Sequence, residues 1–146
     1  MEIRAAKIDD LDSLVPLFDA YRVFYQAQSD PEGARRFLGE RLAKGESRVF
    51  MAWAGGLAVG FTQLYPSFSS VSMKRLWILN DLFVAPQARA SGVGEALMRR
   101  AEDFARADGA KGLSLATQTG NLKAQSLYGR MGYGKDEEFF HFHRVF

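Results

Sequence analysis

The sequence predicts an α/β domain with a mixed sheet, on the strength of its hairpin signal and its alternation of strands and helices. A Gly-Gly pair at 55–56 separates two β-rich runs, 48–53 and 57–65, and predicts a hairpin. Two helical patterns precede that hairpin, and apolar strands alternate with amphipathic helices after it. Strands that alternate with helices indicate parallel pairing in part of the sheet.

Before the hairpin, the chain is predicted to form a strand and two helices. Residues 2–6 read as a short strand, and apolar residues at helical spacing predict a first helix reaching Tyr25. Asp30-Pro31 is a cap followed by proline at the first helical position, so a second helix begins there. Gly45 ends that helix, and residues 66–70 after the hairpin are predicted to be a loop.

The second half of the chain alternates strands with helices. Pro86 ends the central strand because proline cannot donate a hydrogen bond to a ladder. Glycines at the ends of the helical patterns predict where each helix stops. The predicted elements are a strand at 74–84, a helix from Gly92 to Asp108-Gly109, a strand at 113–117, a helix at 122–131, and two last strands at Tyr133 and 139–145.

Composition excludes several classes of function. The 146 residues suffice for one domain, and the absence of cysteine excludes disulfides, Cys-ligated metals and a cysteine acyl-enzyme. The net charge of +2 is too small to indicate a nucleic-acid partner. No apolar run approaches a membrane span, so we expect a cytoplasmic protein that binds no membrane. His141 and His143 lack a third ligand, so we expect an exposed edge strand and no metal.

The loop between the central strand and the following helix has the pattern Arg89-x-x-Gly92-x-Gly94. Glycines let backbone N–H groups approach a ligand closely, and a helix start adds unpaired donors and a positive dipole end. Such a site suits a diphosphate. A Rossmann site is disfavoured because the order is not Gly-x-Gly-x-x-Gly, and a Walker loop is excluded because no Gly-Lys-Ser/Thr follows.

A second pattern reads Asn121-x-x-Ala124-x-x-Leu127-Tyr128-x-x-x-Gly132-Tyr133, in which Asn121 caps a helix and Gly132 closes it. With the loop pattern, it resembles motifs B and A of the GCN5-related N-acetyltransferases (GNAT). The order of elements is similar to that family over essentially the whole chain. The resemblance implies a single acetyltransferase domain over residues 1–146. It also implies about four helices and a mostly antiparallel central sheet whose parallel strands 4 and 5 splay apart.

The resemblance implies acetyl-CoA as cosubstrate, no metal, and direct attack of an amine on the acetyl carbon. The backbone of Leu82 and Val84 would pair with the pantetheine arm, and the glycine loop would hold the pyrophosphate. Asn121 would contact the pantetheine arm, and Tyr128 would reach the thioester sulfur as acid. The residues expected to bind acetyl-CoA are Leu82, Phe83, Val84, Arg89, Ala90, Ser91, Gly92, Val93, Gly94, Glu95, Asn121, Ala124 and Tyr128.

The general base is the point at which this chain departs from some polyamine acetyltransferases of the family. Those carry Glu-Asp before the apolar triplet, whereas this chain has Asn80-Asp81, and asparagine cannot take a proton. We expect Asp81 to bind the acceptor's ammonium or to relay its proton through water; the alternative is a structural, hydrogen-bonded strand residue. Neighbouring residues of a strand point to opposite faces, so Asn80 should face away from Asp81.

The acceptor site is predicted from aromatic residues that can hold an ammonium over a ring face, although their positions favour core packing for any single one of them. The candidates are Tyr21, Tyr25, Tyr65 and Trp77, together with Asn80 and Asp81. The stretch 21–25 followed by Asp81 resembles the branch of the family that acetylates small amines, amino acids or basic protein tails, and we expect a small amine, amino acid or polyamine as acceptor. A lysine or N-terminal protein acetyltransferase and a non-catalytic acyl-CoA-binding module are the alternatives.

The last eight residues, 139–146, are aromatic on both faces of the predicted final strand. A strand at a sheet edge with one solvated face would alternate apolar and polar residues. We therefore expect a homodimer in which a partner covers this strand.

Overall fold

Five strands form one sheet in the order β1-β2-β3-β4-β5. The computed structural model describes residues 1–146. Antiparallel pairing joins the first four strands, and β5 pairs with β4 in parallel, so the predicted mixed sheet is confirmed. The strands are β1 (Glu2–Ala5), β2 (Arg48–Ala54), β3 (Leu57–Ser69), β4 (Lys74–Val84) and β5 (Leu113–Ser114).

Four α-helices accompany the sheet, and each closes with the same arrangement of backbone hydrogen bonds. A left-handed residue follows the last helical turn, and two N–H groups reach back to carbonyls of that turn. This residue is a glycine after three helices, as predicted, and Gln26 after the first (φ 68°). None of the helices is long and apolar enough to cross a bilayer. The helices are α1 (Leu11–Phe24), α2 (Pro31–Ala43), α3 (Val93–Ala107) and α4 (Leu122–Arg130).

The helices α1 and α2 pack on one face of the sheet and α3 packs on the other. Phe61 of β3 belongs to the buried cluster that α1 and α2 build. Its neighbour Gly60 faces α3, since a Cβ there would lie 3.3 Å from both Leu97 Cδ1 and Val93 Cγ1. The same Cβ would lie only 2.9 Å from the carbonyl oxygen of Phe83, so glycine is needed mainly because β4 leaves no room for a side chain there.

Strand β3 is longer than the sequence predicts. Residues 66–69, predicted to be a loop, continue the strand, and Pro66 lies opposite Trp77 of β4. Proline is tolerated there because the ladder between β2 and β3 ends at Leu64, so that β3 has a free edge beyond it. Strand β5 is correspondingly shorter than predicted, covering two residues of the expected 113–117.

The chain divides into two compact units, Met1–Leu115 and Ala116–Phe146. The first contains the sheet with α1 to α3, and the second contains α4 followed by residues without regular structure. The two strands predicted at Tyr133 and 139–145 are therefore wrong, as is the edge strand expected for the two histidines. An aromatic run forms a strand only if its backbone finds a hydrogen-bonding neighbour, and no ladder includes these residues.

Candidate active site

A β-bulge in β4 shapes the first part of the site. Gln63 of β3 pairs with Asp81, and the next residue, Leu64, pairs with Leu79, so Asn80 is the extra residue. A bulge interrupts the alternation of side chains along a strand. The prediction that Asn80 and Asp81 point to opposite faces is therefore wrong. The two side chains contact each other, and Asn80 Nδ2 donates to Asp81 Oδ1 at 2.7 Å.

Asp81 is a buried carboxylate held by neutral groups. It is 2% exposed, and Gln63 Nε2 donates to its Oδ2 at 2.6 Å. Burial raises the pKa of Asp81, and hydrogen bonds from Asn80, Gln63 and Tyr21 oppose that rise. None of the salt bridges of the chain includes Asp81. The charge is thus stabilised by hydrogen bonds alone, which leaves it attractive to an external cation.

Gln63 is a site residue that the sequence analysis did not single out. Its side chain is completely buried in the middle of β3. The available signal was a polar Thr62-Gln63 pair inside an otherwise apolar strand, since buried polar residues need partners. The register of β3 against β4, which sequence does not show, places it opposite Asp81.

Two of the three predicted acceptor-site tyrosines, Tyr21 and Tyr65, lie close enough to Asp81 to interact with its charge, and the third, Tyr25, packs against Tyr21. The hydroxyl of Tyr21 on α1 donates to the Asn80 carbonyl at 3.3 Å, and the Tyr21 ring centroid lies 5.0 Å from that of Tyr25. Burial and the charge of Asp81 raise the pKa of Tyr21, and the same two causes raise the pKa of Tyr65 to about 12. Both phenols are therefore neutral hydrogen-bonding groups at physiological pH.

Trp77 does not join this cluster, contrary to prediction. Its side chain is 3% exposed and its Nε1 donates to Asp108 Oδ2 at 2.8 Å. Its ring meets that of Phe104 on α3 edge-on, at a centroid distance of 5.0 Å. Trp77 is thus a core residue on the α3 face of the sheet, whereas Asp81 lies on the α1 face.

Beyond its short ladder with β5, β4 has an open edge. The ladder ends at Ile78, six residues before the strand does. The N–H of Ala85 donates to Val59 on β3, so the backbone groups of Leu82 and Val84 point to the opposite, open edge by alternation. An extended ligand can add to such an edge like a further strand.

Arg89 covers part of this edge. Its Nε donates to the carbonyl of Val84 at 2.9 Å, and its guanidinium lies 5.5 Å from the centroid of the Phe83 ring. The side chain thus bends back onto β4. Phe83 itself is 7% exposed and packs with the α1 cluster, and its backbone groups point to β3 by the same alternation.

The loop before α3 has two left-handed residues, Ala90 (φ 62°) and Gly92 (φ 82°). Ser91 between them donates through Oγ to the Ala88 carbonyl. A Cβ at Gly92 would meet nothing within 4 Å, and one at Gly94 would meet only Val84 Cγ2 at 3.8 Å. Neither glycine is therefore required by crowding within the protein, and Gly92 is favoured by its left-handed conformation.

The first turn of α3 follows directly. The carbonyl of Gly92 accepts from the N–H of Ala96, so the N–H groups of Val93, Gly94 and Glu95 lack partners within the helix. Val93 is 4% exposed and anchors the turn in the core, while Glu95 is paired with Arg99 at 2.8 Å. Unpaired N–H groups at a helix start suit an anion.

The second unit presents its motif on α4. Asn121 Oδ1 accepts from the N–H of Ala124 at 3.1 Å, which confirms the predicted cap. At the other end, Gly132 (φ 94°) terminates the helix as predicted. Ala124 and Tyr128 are one turn apart and share a helix face. The ring centroid of half-buried Tyr128 lies 6.2 Å from that of Tyr133.

Residues 14–133 match the sequence model described as the acetyltransferase (GNAT) family. The chain belongs to this family. The GNAT relatives include an uncharacterised N-acetyltransferase of Bacillus subtilis (strain 168), YhfO, which is 51% identical over 142 residues, 97% of this chain and 95% of the relative. A D-amino-acid N-acetyltransferase of Saccharomyces cerevisiae, HPA3, is 27% identical over 141 residues, 92% of this chain and 86% of the relative.

A solved structure of a probable acetyltransferase has the same GNAT fold. It superimposes with a TM-score of 0.95 at 42% identity and covers 100% of this chain and 98% of its own. The family match and these relatives together show that the chain is an acetyltransferase.

Proposed function

We propose that this enzyme transfers the acetyl group of acetyl-CoA to a small primary amine, whose ammonium form enters beside Asp81. The observation that carries the proposal is the carboxylate of Asp81, which is 2% exposed and has no cationic partner within the protein. Buried charges are normally paired, so the missing partner is assigned to the substrate. The neighbouring rings of Tyr21 and Tyr25 can face the same cation.

The amine must lose its proton before it attacks. A free alkyl amine has a pKa near that of lysine, about 10.4, so it arrives charged. Asp81 would hold the ammonium and take its proton, directly or through water, and its raised pKa makes it a better base than an exposed carboxylate. Positioning of the two substrates contributes more than proton transfer, since orientation can supply roughly 7–11 kcal/mol.

The proposed acetyl-CoA site fits the open edge of β4 and the loop before α3. When bound, acetyl-CoA supplies an acetyl group activated as a thioester. The open-edge groups of Leu82 and Val84 would pair with the pantetheine arm, once the Arg89 side chain releases the Val84 carbonyl. The unpaired N–H groups that follow Gly92 would hold the pyrophosphate.

By resemblance to the family, Asn121 and Tyr128 are expected to contact acetyl-CoA. Tyr128 would donate to the sulfur that leaves as thiolate, which has an unperturbed pKa of about 8.5, near that of cysteine, and so needs modest help. Asn121 already uses its side-chain oxygen for the helix cap, so its amide nitrogen is the group available to a ligand.

The acceptor class is supported by the similarity to a D-amino-acid N-acetyltransferase, whose name gives an amino acid as its substrate. It is tested by measuring release of CoA with a panel of polyamines, amino acids and peptides bearing a lysine or a free N-terminus. We expect small amines to have the highest kcat/KM. Preference for peptides would refute the small-amine proposal, and binding of acetyl-CoA without turnover of any amine would indicate a binding module.

A further inference from the structure

Gln63 joins Asp81 to the neighbouring strand through a short hydrogen bond. Its Nε2 donates to Asp81 Oδ2 at 2.6 Å, while Asn80 Nδ2 donates to Oδ1 at 2.7 Å from within β4. One amide therefore holds each carboxylate oxygen. Two such bonds fix both the position and the plane of the carboxylate, which a single bond would leave free to rotate.

The other polar atom of the same amide is unpaired. Gln63 Oε1 is buried and has no hydrogen-bond donor within the protein. A buried amide oxygen without a donor is costly, and such an atom in a native protein calls for an explanation. Because the Oε1 belongs to the amide whose nitrogen touches Asp81, an ammonium bound to Asp81 would have this second acceptor within reach.

We propose that Gln63 is a positioning residue for the acceptor amine, which orients the Asp81 carboxylate with Nε2 and accepts a second N–H of the ammonium with Oε1. The proposal rests on the assignment of Asp81 to the acceptor amine above. A primary ammonium has three N–H donors, of which these two acceptors satisfy two. A tertiary ammonium has one, so the arrangement also favours primary amines.

The groups that face Asp81 determine the pH dependence of this arrangement. They are Tyr21 on α1, Tyr65 on β3 and Asn80 on β4, all neutral at physiological pH. Arg41 on α2 acts electrostatically on Tyr65 and opposes the rise of its pKa. A donor to a carboxylate stabilises its charged form, so loss of Gln63 would raise the pKa of Asp81 further.

The test compares Gln63→Met, which keeps the length of the side chain but removes both polar atoms, with Thr62→Val. Thr62 is equally buried and donates to the backbone carbonyl of Asp81 at 2.8 Å, so it is a matched control that leaves the carboxylate untouched. For Gln63→Met we expect kcat/KM for the amine to fall about tenfold or more at neutral pH. We also expect the acid limb of the pH profile of kcat/KM to move to higher pH by about one unit, while KM for acetyl-CoA stays unchanged.

Thr62→Val should lower the melting temperature without moving the acid limb. If the role of Gln63 were only structural, Gln63→Met would behave in the same way. Gln63→Met should cost less in an Asp81→Asn background, because the part of its effect that comes from orienting the carboxylate is already lost there. An unmoved acid limb in Gln63→Met, or an equal loss in that background, would overturn the inference. If Gln63→Met does not fold, Gln63→Glu is the second variant, because it keeps the shape of the side chain. Its added negative charge should also move the acid limb to higher pH.

The Asp81→Asn variant separates failure of this inference from failure of the proposed function. If Asp81→Asn leaves kcat/KM for the amine unchanged, the acceptor site itself is wrong and the inference falls with it. If Asp81→Asn lowers the rate and Gln63→Met behaves like Thr62→Val, only the inference is overturned.

Discussion

Replacing Asp81 by asparagine should abolish most activity and yet stabilise the protein at neutral pH. The substitution keeps the shape of the side chain and removes its charge. Loss of a base in hydrogen-bonding position typically costs about 10²–10⁴-fold in rate, and we expect at least about 100-fold here, because the ammonium also loses its counter-ion. The gain in stability has a separate origin, because the substitution removes a buried charge that has no cationic partner.

The size of that gain follows from the surroundings of Asp81. Burial of an ion costs several kcal/mol, and the two amide donors return about 1.5–3 kcal/mol each. Burial prevails, since the pKa of Asp81 is raised despite these bonds. In the variant, Gln63 can turn so that its unpaired Oε1 accepts from the new amide. A net gain on the order of 1 kcal/mol, or about 4 °C in melting temperature, is therefore expected.

The pH dependence distinguishes this cause from a general change in packing. An acid whose pKa is higher in the folded than in the unfolded state destabilises the fold when ionised. The parent therefore gains stability relative to the variant as the pH falls through the raised pKa. The advantage of Asp81→Asn should be complete above that pKa and vanish below the ordinary aspartate value of 3.8.

The assay is urea or thermal unfolding of parent and Asp81→Asn across that pH range, together with kcat/KM for the best amine of the panel. A lower melting temperature in the variant at neutral pH would show that Asp81 is a structural acceptor of hydrogen bonds. The reasoning would also fail if activity remained within twofold of the parent.

Four further substitutions or deletions have definite expected outcomes. Gly92→Glu should abolish acetyl-CoA binding in calorimetry, because it strains a left-handed residue and adds negative charge at the proposed pyrophosphate site; parental affinity would contradict the loop assignment. Gly60→Ala should cost about 1–3 kcal/mol in urea unfolding, since its Cβ would lie 2.9 Å from a carbonyl oxygen, and an unchanged midpoint would refute this. Tyr128→Phe should lower kcat by about 100-fold with little change in acetyl-CoA affinity, and normal turnover would leave Tyr128 a packing residue. We propose that the protein is a homodimer in which a second copy covers the exposed aromatic tail, residues 139–146. Deletion of this tail should therefore halve the mass measured by light scattering, and a monomeric parent would refute the proposal.

Local chemistry made much of the fold predictable from the sequence. Glycine at 45, 109 and 132 ends a helix because it accepts positive φ, and Asn121 begins one because its side chain pairs with a helical N–H. The end of the chain was mispredicted, because an aromatic run shows β preference without showing which strand would pair with it. Pairing is a long-range property that neither composition nor periodicity contains.

The same limitation explains why the geometry around Asp81 was not predicted. An alternating strand would separate the side chains of residues 80 and 81, whereas the bulge joins them. With both on one side, the identity of residue 80 determines the behaviour of the acid. A glutamate there would place a second negative charge beside Asp81, and the two would titrate as a coupled pair. Asparagine instead donates to the carboxylate and lowers its pKa against the effect of burial. The departure from the Glu-Asp pair therefore leaves the proposed base in place, as a single acid that accepts hydrogen bonds from the amides of Asn80 and Gln63.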